Sequence, residues 1–570
     1  MAWESLSRWL VRAAAVFVCL PAAAQPPAPA PQAPENWIAD QLRAGKPADF
    51  VARCDVSTTD PAGHAAADAC RRISGAYLAK LMTGQIVPTT AWPVRGLELS
   101  HALISGMVDL TGGLVSRRVS IRNSEFSDLA SLSDSKFEQS LTLECDVFRG
   151  GFQGLSLHVN SNLSLQASHF VQKAFLVGVQ TGGFLWAGGG AFDDGVDFGN
   201  AHIGLTFSMS SVSAAFCGGT GPKIQATAPH GFALDSAETG GNLQLEGIFG
   251  HLDGHDAISA HAVRVHGLVG LKLIANGGID LRHSNISGAF YMGGSKLTGA
   301  LKASGIRVDD DVTLSGSNVG DKIDFSDAVL GRDFVMRGAL RAKGSTAPLS
   351  VNLENAHLTR LSDDAAAWQG LTHNIAGLTY DSLVPPDQPM HAVKDWRRSW
   401  LSSDQSQDGM FDPQPYRQLA TVLSNSGDKD GAVDVTFWAR EQERHMAYVD
   451  GQYWKYVGLT FLYATVGYGI GNYIFIPVIW AIVLTLAGAY VLGWSAPARQ
   501  KGVMWRLQAS LDRLLPVIEL SPEFGEFFSD PDTHGLNSWQ ILFFSVVAIT
   551  GWILGAFLAA ALSGLTQSAS

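Results

Sequence analysis

Residues Val119–Phe148 read VSIRNSEFSDLASLSDSKFEQSLTLECDVF, and apolar side chains return in them every eleven positions. Val119, Ala130 and Leu141 form one series; Ile121, Leu132 and Leu143 follow two places on; Phe126, Phe137 and Phe148 form a third. The first two series run back to Leu97 and Leu99 and the third to Ile104; they extend forward to Ala174, Leu176 and Phe170. After an irregular middle the interval returns through Leu268, Ile279, Phe290, Leu301, Val312, Ile323 and Phe334. Each φ-x-φ pair points two side chains to one side of an extended segment and the residue between them to the other. The unit is φ-x-φ-x-x-s-x-φ-x-x-x, its sixth place small: Ser124, Ser135, Ser168, Ser284, Ser295, Ser317, Ala328. Eleven residues hold two short strands and two corners, so two units close a four-sided coil of about 22 residues that stacks on the next. No apolar stripe long enough for a helix interrupts the pattern. The fold expected is mainly β, a right-handed parallel β-helix over residues 93–361, with about twelve coils across 97–358.

With a small residue two places before a central apolar one, as in SEF (124–126) and SKL (295–297), the arrangement resembles pentapeptide-repeat proteins, with one residue added per two pentads. A solenoid leaves unpaired strand edges at both ends. Residues 35–92, with the helix-forming run AADACRRISGAYLAKLMTG, read as a small helical N-terminal cap. Residues 362–411 read as an irregular junction and 412–450 as a C-terminal helical hairpin with Pro415 at a helix start. The hairpin looks like one tetratricopeptide-type unit, which acts as a cap because a peptide-binding face needs several.

The chain has 570 residues, of which 16% are charged, and a mean hydropathy of +0.11, so part of it belongs in a membrane. A net charge of -12 without any basic run argues against nucleic acid as a partner. Residues 1–24 carry Arg8 and Arg12, an apolar run from Ala13 to Leu20 and the small residues Ala22–Ala24, the pattern of a secretory signal peptide. Residues 25–34 form a Pro/Ala linker. In an exported chain Cys54 and Cys70 are the disulfide candidates, worth about 3 kcal/mol in loop entropy; two buried thiols are the competing reading. Cys145 and Cys217 lie far apart within the repeats, and neither belongs to a CxxC pair.

No charged residue occurs between Lys455 and Arg499. Residues 473–494 and 539–565 are long and apolar enough for two transmembrane helices. The loop between them, 495–538, carries Arg499, Lys501, Arg506 and Arg513, which makes it cytoplasmic by the positive-inside rule and turns the β-helix toward the periplasm of a bacterial inner membrane. Residues 451–472 are an interfacial segment containing Thr465, Val466, Gly467, Tyr468 and Gly469, the string found in potassium-channel filters. An outer helix before it is missing, and the usual acid after it is Ile470. A turn between an aromatic interfacial helix and the first span is the simpler reading. From PQPYRQLATVLSNSGDKDGA through GYG and LDRLLPVIEL to GWILGAFLAAALSGL, the chain resembles a largely uncharacterised family of bacterial membrane-anchored β-helical proteins. Some of its members are labelled membrane-associated oxidoreductases. Neither a Gly-rich strand–turn–helix nor a CxxC supports redox chemistry here, and no cofactor is expected.

Two constellations bear on chemistry. His251, His255, His261 and His266, with Asp253 and Asp256, concentrate in one stretch, yet their spacing matches no zinc pattern, and solvated corner histidines are the plainer reading. Asp280, Lys302 and Asp324 fall 22 apart at the outward place between apolar residues, so they stack in one column on the outer face. Carbohydrate-active β-helix enzymes gather such groups, but an alternating column also serves simply as a solubilising ladder. No catalytic residue is assigned. The function expected is a non-enzymatic, inner-membrane-anchored scaffold or recognition surface whose partner is an envelope protein, a glycan or another copy of the chain. A carbohydrate-active enzyme and a cation channel are the rivals.

Overall fold

A computed structural model describes residues 32–54, 61–251, 256–341, 349–384, 390–403, 411–470, 475–515, 518–529 and 535–562. The repeat folds as a parallel β-solenoid of about 13 turns with about 22 residues per coil. Leu97 pairs with Val119, Val119 with Leu141, Leu141 with Leu163, and Leu163 with Leu185 on the first face. Ile104, Phe126 and Phe148 mark the second face, Val108, Ala130 and Phe152 the third, and Val115, Phe137 and Val159 the fourth. Every apolar member of these columns points into one continuous core. Phe126, Phe148, Phe170 and Phe192 stack ring on ring at 4.4, 4.7 and 4.8 Å, the spacing of the coils themselves. After the irregular middle the register partner of Phe290 is Val269, not Leu268, because that coil holds one residue fewer than 22.

Two places in the unit make the corners. The fifth adopts left-handed backbone, at Asn123, Cys145, Ala167, Asp134, Ser156 and Asn200 among others, a region where Asn and Asp are tolerated best. The sixth is a buried serine that ties adjacent coils. Ser295 Oγ donates to Leu271 O at 3.1 Å and accepts from Leu273 N at 3.1 Å; Ser168 and Ser284 do the same for their neighbours. The hydroxyl thus satisfies backbone groups that the bend removes from the strand ladder. Where the fourth face turns into the first, glycines stack. A Cβ on Gly240 would lie 2.1 Å from Gly204 O, and one on Gly204 2.4 Å from Gly182 O. Gly240→Ala is therefore expected to lower stability by about 1–3 kcal/mol, whereas Gly270→Ala, whose Cβ meets nothing closer than 3.6 Å, leaves it near the parent value. Paired thermal melts check both.

Both ends are closed by more than helices. Ala48–Asp49 pairs with Leu99–Ser100 and Arg72–Ser74 with Leu103–Ser105, so the N-terminal segment adds part of a coil beneath the first repeat. Helices α1 (Pro34–Arg43), α2 (Pro61–Arg71) and α3 (Gly75–Met82) complete this cap. The run expected as one helix breaks at Arg72–Ser74 because the open edge of the first coil offers it backbone partners, and Ile73 buries itself in the core. Cys54 and Cys70 are joined, with their Cα atoms 5.9 Å apart. Cys145 and Cys217 are joined as well, which their separation in sequence concealed. Residues 210–225 leave the coil as a hairpin bridged at Val212 and Ile224, with its tip at the Cys145 corner, and the chain rejoins the stack at Ala226–Ala228. The hairpin straps three coils whose left-handed corners carry the small residues Cys145, Ala167 and Gly189.

At the other end the solenoid continues past residue 361: Leu371–Asn374 pairs with Leu349–Asn352, and His357–Leu361 with Thr379–Leu383. Half of the expected irregular junction is a final coil. Helices α4 (Ala365–Trp368), α5 (Met390–Ser402), α6 (Gln414–Asn425) and α7 (Lys429–Val449) cover it. Gln414 Nε2 donates to Leu378 O at 2.9 Å and Gln418 Nε2 to Tyr380 O at 2.6 Å, so α6 supplies the donors that the last edge lacks. Beneath these helices Asp363 and Arg397, both buried, form a bidentate pair, and Trp368 Nε1 donates to Asp363 at 2.7 Å.

Helix α8 (Tyr453–Val466) leads to α9 (Phe475–Leu492), then α10 (Ala496–Gln500), α11 (Val503–Leu514), α12 (Pro522–Ser529) and a last helix, Ser538–Leu562. Helix α9 and the last helix are long and apolar enough to cross a membrane. The segment expected as a loop between them is largely helical.

Candidate functional site

Two members of the histidine constellation, His251 and Asp256, meet the charge column at one place. Asp280, Lys302 and Asp324 are register partners on the outside of the third face, as their interval implies. At the corner just before them Gly277, Gly278 and Gly299 carry no side chains, and the space left is a cleft of about 470 Å³ lined also by Asn276, Thr298 and Asp321. His251 and Asp256 flank it, and Asp256 Oδ2 receives Lys302 Nζ at 2.8 Å. The glycines are required: a Cβ on Gly278 would sit 2.6 Å from Ala300 O, and one on Gly299 2.5 Å from Gly278 N. Thr298 Oγ accepts from Gly277 N at 2.8 Å and holds the rim. Gly277 and Gly299, 22 apart, were the signal in the sequence for this cleft; periodicity of apolar residues alone passes over it.

The column beside the cleft is charge-matched. Burial opposes ionisation of Asp280, but Arg282, which donates to both carboxylate oxygens, outweighs it and holds the carboxyl below its usual range. Asp324 is likewise opposed by burial and lowered on balance by Lys322, 2.7 Å away, and by Ser326. Glycosidic cleavage by a carboxyl pair needs one of them held protonated; Asp280 and Asp324 are both held ionised.

The histidines do not gather around one point. His266 Nε2 lies 3.0 Å from Glu238 Oε1, His261 packs edge-on against His283, and His251 stands at the cleft. His255 lies outside the described residues. Among the described residues no group of three or more His, Cys, Asp or Glu is placed to hold a metal.

A second carboxylate cluster, which the repeat pattern did not single out, lies by the Cys145–Cys217 strap. Asp146 occupies a place in the column where Ser124 and Ser168 stand, accepts from Ser124 N at 2.7 Å, and is fully buried, with its Oδ2 unpartnered among the described residues. Burial pushes its carboxyl well above the usual range; Glu144 adds to this, while Ser124 N–H and Arg122 oppose it. Folded Asp146 keeps its proton at pH values where the unfolded chain has lost it. Stability therefore falls as pH rises from the ordinary carboxylate range through the raised folded value. Asp146→Ser, which restores the column's own residue, is expected to remove that slope and to gain about 1–3 kcal/mol at neutral pH. Melts between pH 4 and pH 8 check it; parallel curves for parent and variant refute it.

The filter-like string is a helix stop. Thr465 and Val466 end α8, with Thr465 Oγ donating to Phe461 O at 2.7 Å, and Gly467, Tyr468 and Gly469 are left-handed in succession. The Gly467 N–H closes the helix on Leu462 O and Tyr463 O. Tyr468 packs its ring against Phe437 and Tyr463, 5.5 and 5.7 Å away. This is the turn that joins an aromatic helix to the first apolar span, and it fastens that turn to α7. Comparison with known proteins finds no family model, no curated protein and no solved structure that matches this chain.

Proposed function

We propose that this protein is a β-solenoid tethered to the bacterial inner membrane by α9 and the last helix, with its rod in the periplasm as a recognition surface for an envelope protein or glycan. The glycine-cleared, polar cleft beside a charge-neutralised column carries this reading, since it is a concavity built into the outer face of the rod. Two disulfides suit an oxidising compartment. The signal-like first residues and the basic residues Arg499, Lys501 and Arg506 agree on the side. An impermeant maleimide is expected to label Tyr291→Cys in cells with a permeabilised outer membrane, and a photo-crosslinker at Thr298 to capture an envelope component that one at Lys136, on the fourth face, does not. Labelling only after lysis overturns the periplasmic placement; equal capture at both positions overturns the cleft.

A further inference from the structure

The segment between the two apolar helices is folded against them, and its depth can be read from three contacts. The rings of Trp494 and Trp539 meet at a tilt with centroids 5.4 Å apart, and Gln540 Nε2 donates to Val491 O at 3.1 Å, so the ends of the two helices are level there. Such a Trp pair marks a membrane–water boundary. Helix α11 then passes inward. A Cβ on Gly488 would lie 2.1 Å from Ser510 Oγ and 3.2 Å from Phe544. Gly488 stands six residues before Trp494 and Phe544 five after Trp539, which places Ser510 roughly 7.5–9 Å below the boundary at 1.5 Å per residue. Four residues on, Leu514 O would be 1.9 Å from a Cβ on Gly551. Gly551 is twelve residues beyond Trp539, roughly 18 Å deep by the same rise, against a half-thickness of about 15 Å for the hydrocarbon core.

The chain also comes back on the side it left. Leu520 N donates to Asp512 Oδ1 at 2.6 Å, Phe524 and Phe527 pack on Trp505 at 5.6 and 5.0 Å, and Glu523 pairs with Lys501, next to the start of α11. The portion of the last helix beside α11 exposes Ile541, Leu542, Val546 and Ile549 on its free side, a face that water would not cover.

We propose that α11 is a re-entrant helix that enters the bilayer beside the two spans and reaches its midplane, so that the protein's partner along this segment is the acyl core. Asp512 and Arg513 then stand at hydrocarbon depth. Charges there need partners from the protein: Asp512 caps Leu520 N and Arg513 lies over the Phe528 ring at 5.6 Å, while Glu519, beside Leu520, is exposed at the same depth. The inference rests on α9 and the last helix crossing the membrane, and the test separates the two.

The full chain, with Cys19→Ser and both disulfides intact, is spin-labelled in lipid nanodiscs at Leu511→Cys and, separately, Arg513→Cys. Ile482→Cys and Ile549→Cys serve as span references, and Asn425→Cys as an aqueous one. Collisions with oxygen and with a water-soluble nickel chelate read depth. Labels at 511 and 513 are expected to be oxygen-rich and shielded from nickel, as at 549. Nickel access at 511 and 513 equal to that at 425, with 549 still shielded, overturns the re-entrant helix alone. Nickel access at 482 and 549 overturns the spans and the inference together.

Discussion

Arg397→Met is expected to destabilise the C-terminal coils by about 3–5 kcal/mol, the cost of leaving a buried charge without its partner. Arg397 and Asp363 are 4% and 0% exposed and joined through both guanidinium nitrogens. Trp396 and Trp400 lie 4.0 and 4.8 Å from the guanidinium, so its loss also empties space between aromatic rings. Among the described residues the stranded carboxylate would keep one side-chain donor, the Trp368 N–H. Because the pair sits where the last coil meets α5, the damage is local: amide exchange should rise over 349–383 and stay at parent rates near residue 120. The double variant Arg397→Met/Asp363→Asn, which removes both charges, is expected to recover part of the loss. Unchanged exchange over 349–383 in the single variant would show that the pair contributes nothing to closing this end.

Leu314→Asp should cost more than 4 kcal/mol, since it places an unpaired carboxylate at a position with no solvent exposure. Its neighbour Thr313, the last residue of the two-residue strand Val312–Thr313, points outward, and Thr313→Asp is expected to be within about 0.5 kcal/mol of the parent. In a stacked fold each coil supports only the next, so failure at Leu314 should open the rod on both sides of it. Limited proteolysis would then cut between residues 290 and 336. If the two variants melt alike, the inward and outward assignment at this register is wrong.

Regular solenoid coils were legible because they depend on local, periodic choices. Phe126, Phe148 and Phe170 announce the coil length, and Ser124 or Ser295 announces the corner. Features made by contacts between distant residues were not legible. Nothing near Cys145 points to Cys217, and nothing in the helix-forming run around Arg72 reveals the open edge that draws it into a strand. The charge column was readable as an interval, but its neutralisation by Arg282 and Lys322 depends on side-chain reach. Helix α11 looked like a loop because its apolar residues are too few to span; only its fit against Gly488 and Gly551 shows where it lies.

The equal spacing of the coils turns the cleft's position into a countable quantity. Ile279, Leu301 and Ile323 mark its coils, and Val351 and His373 the two that follow before the capping helices. A partner bound in the cleft, as proposed, would be held a whole number of coil heights, about 4.8 Å each, from the end that leads to the two apolar helices. Excising one complete 22-residue coil from between them would lower that grip by one step while leaving every remaining register intact. A partner of fixed height would sense the change, and a free-floating one would not.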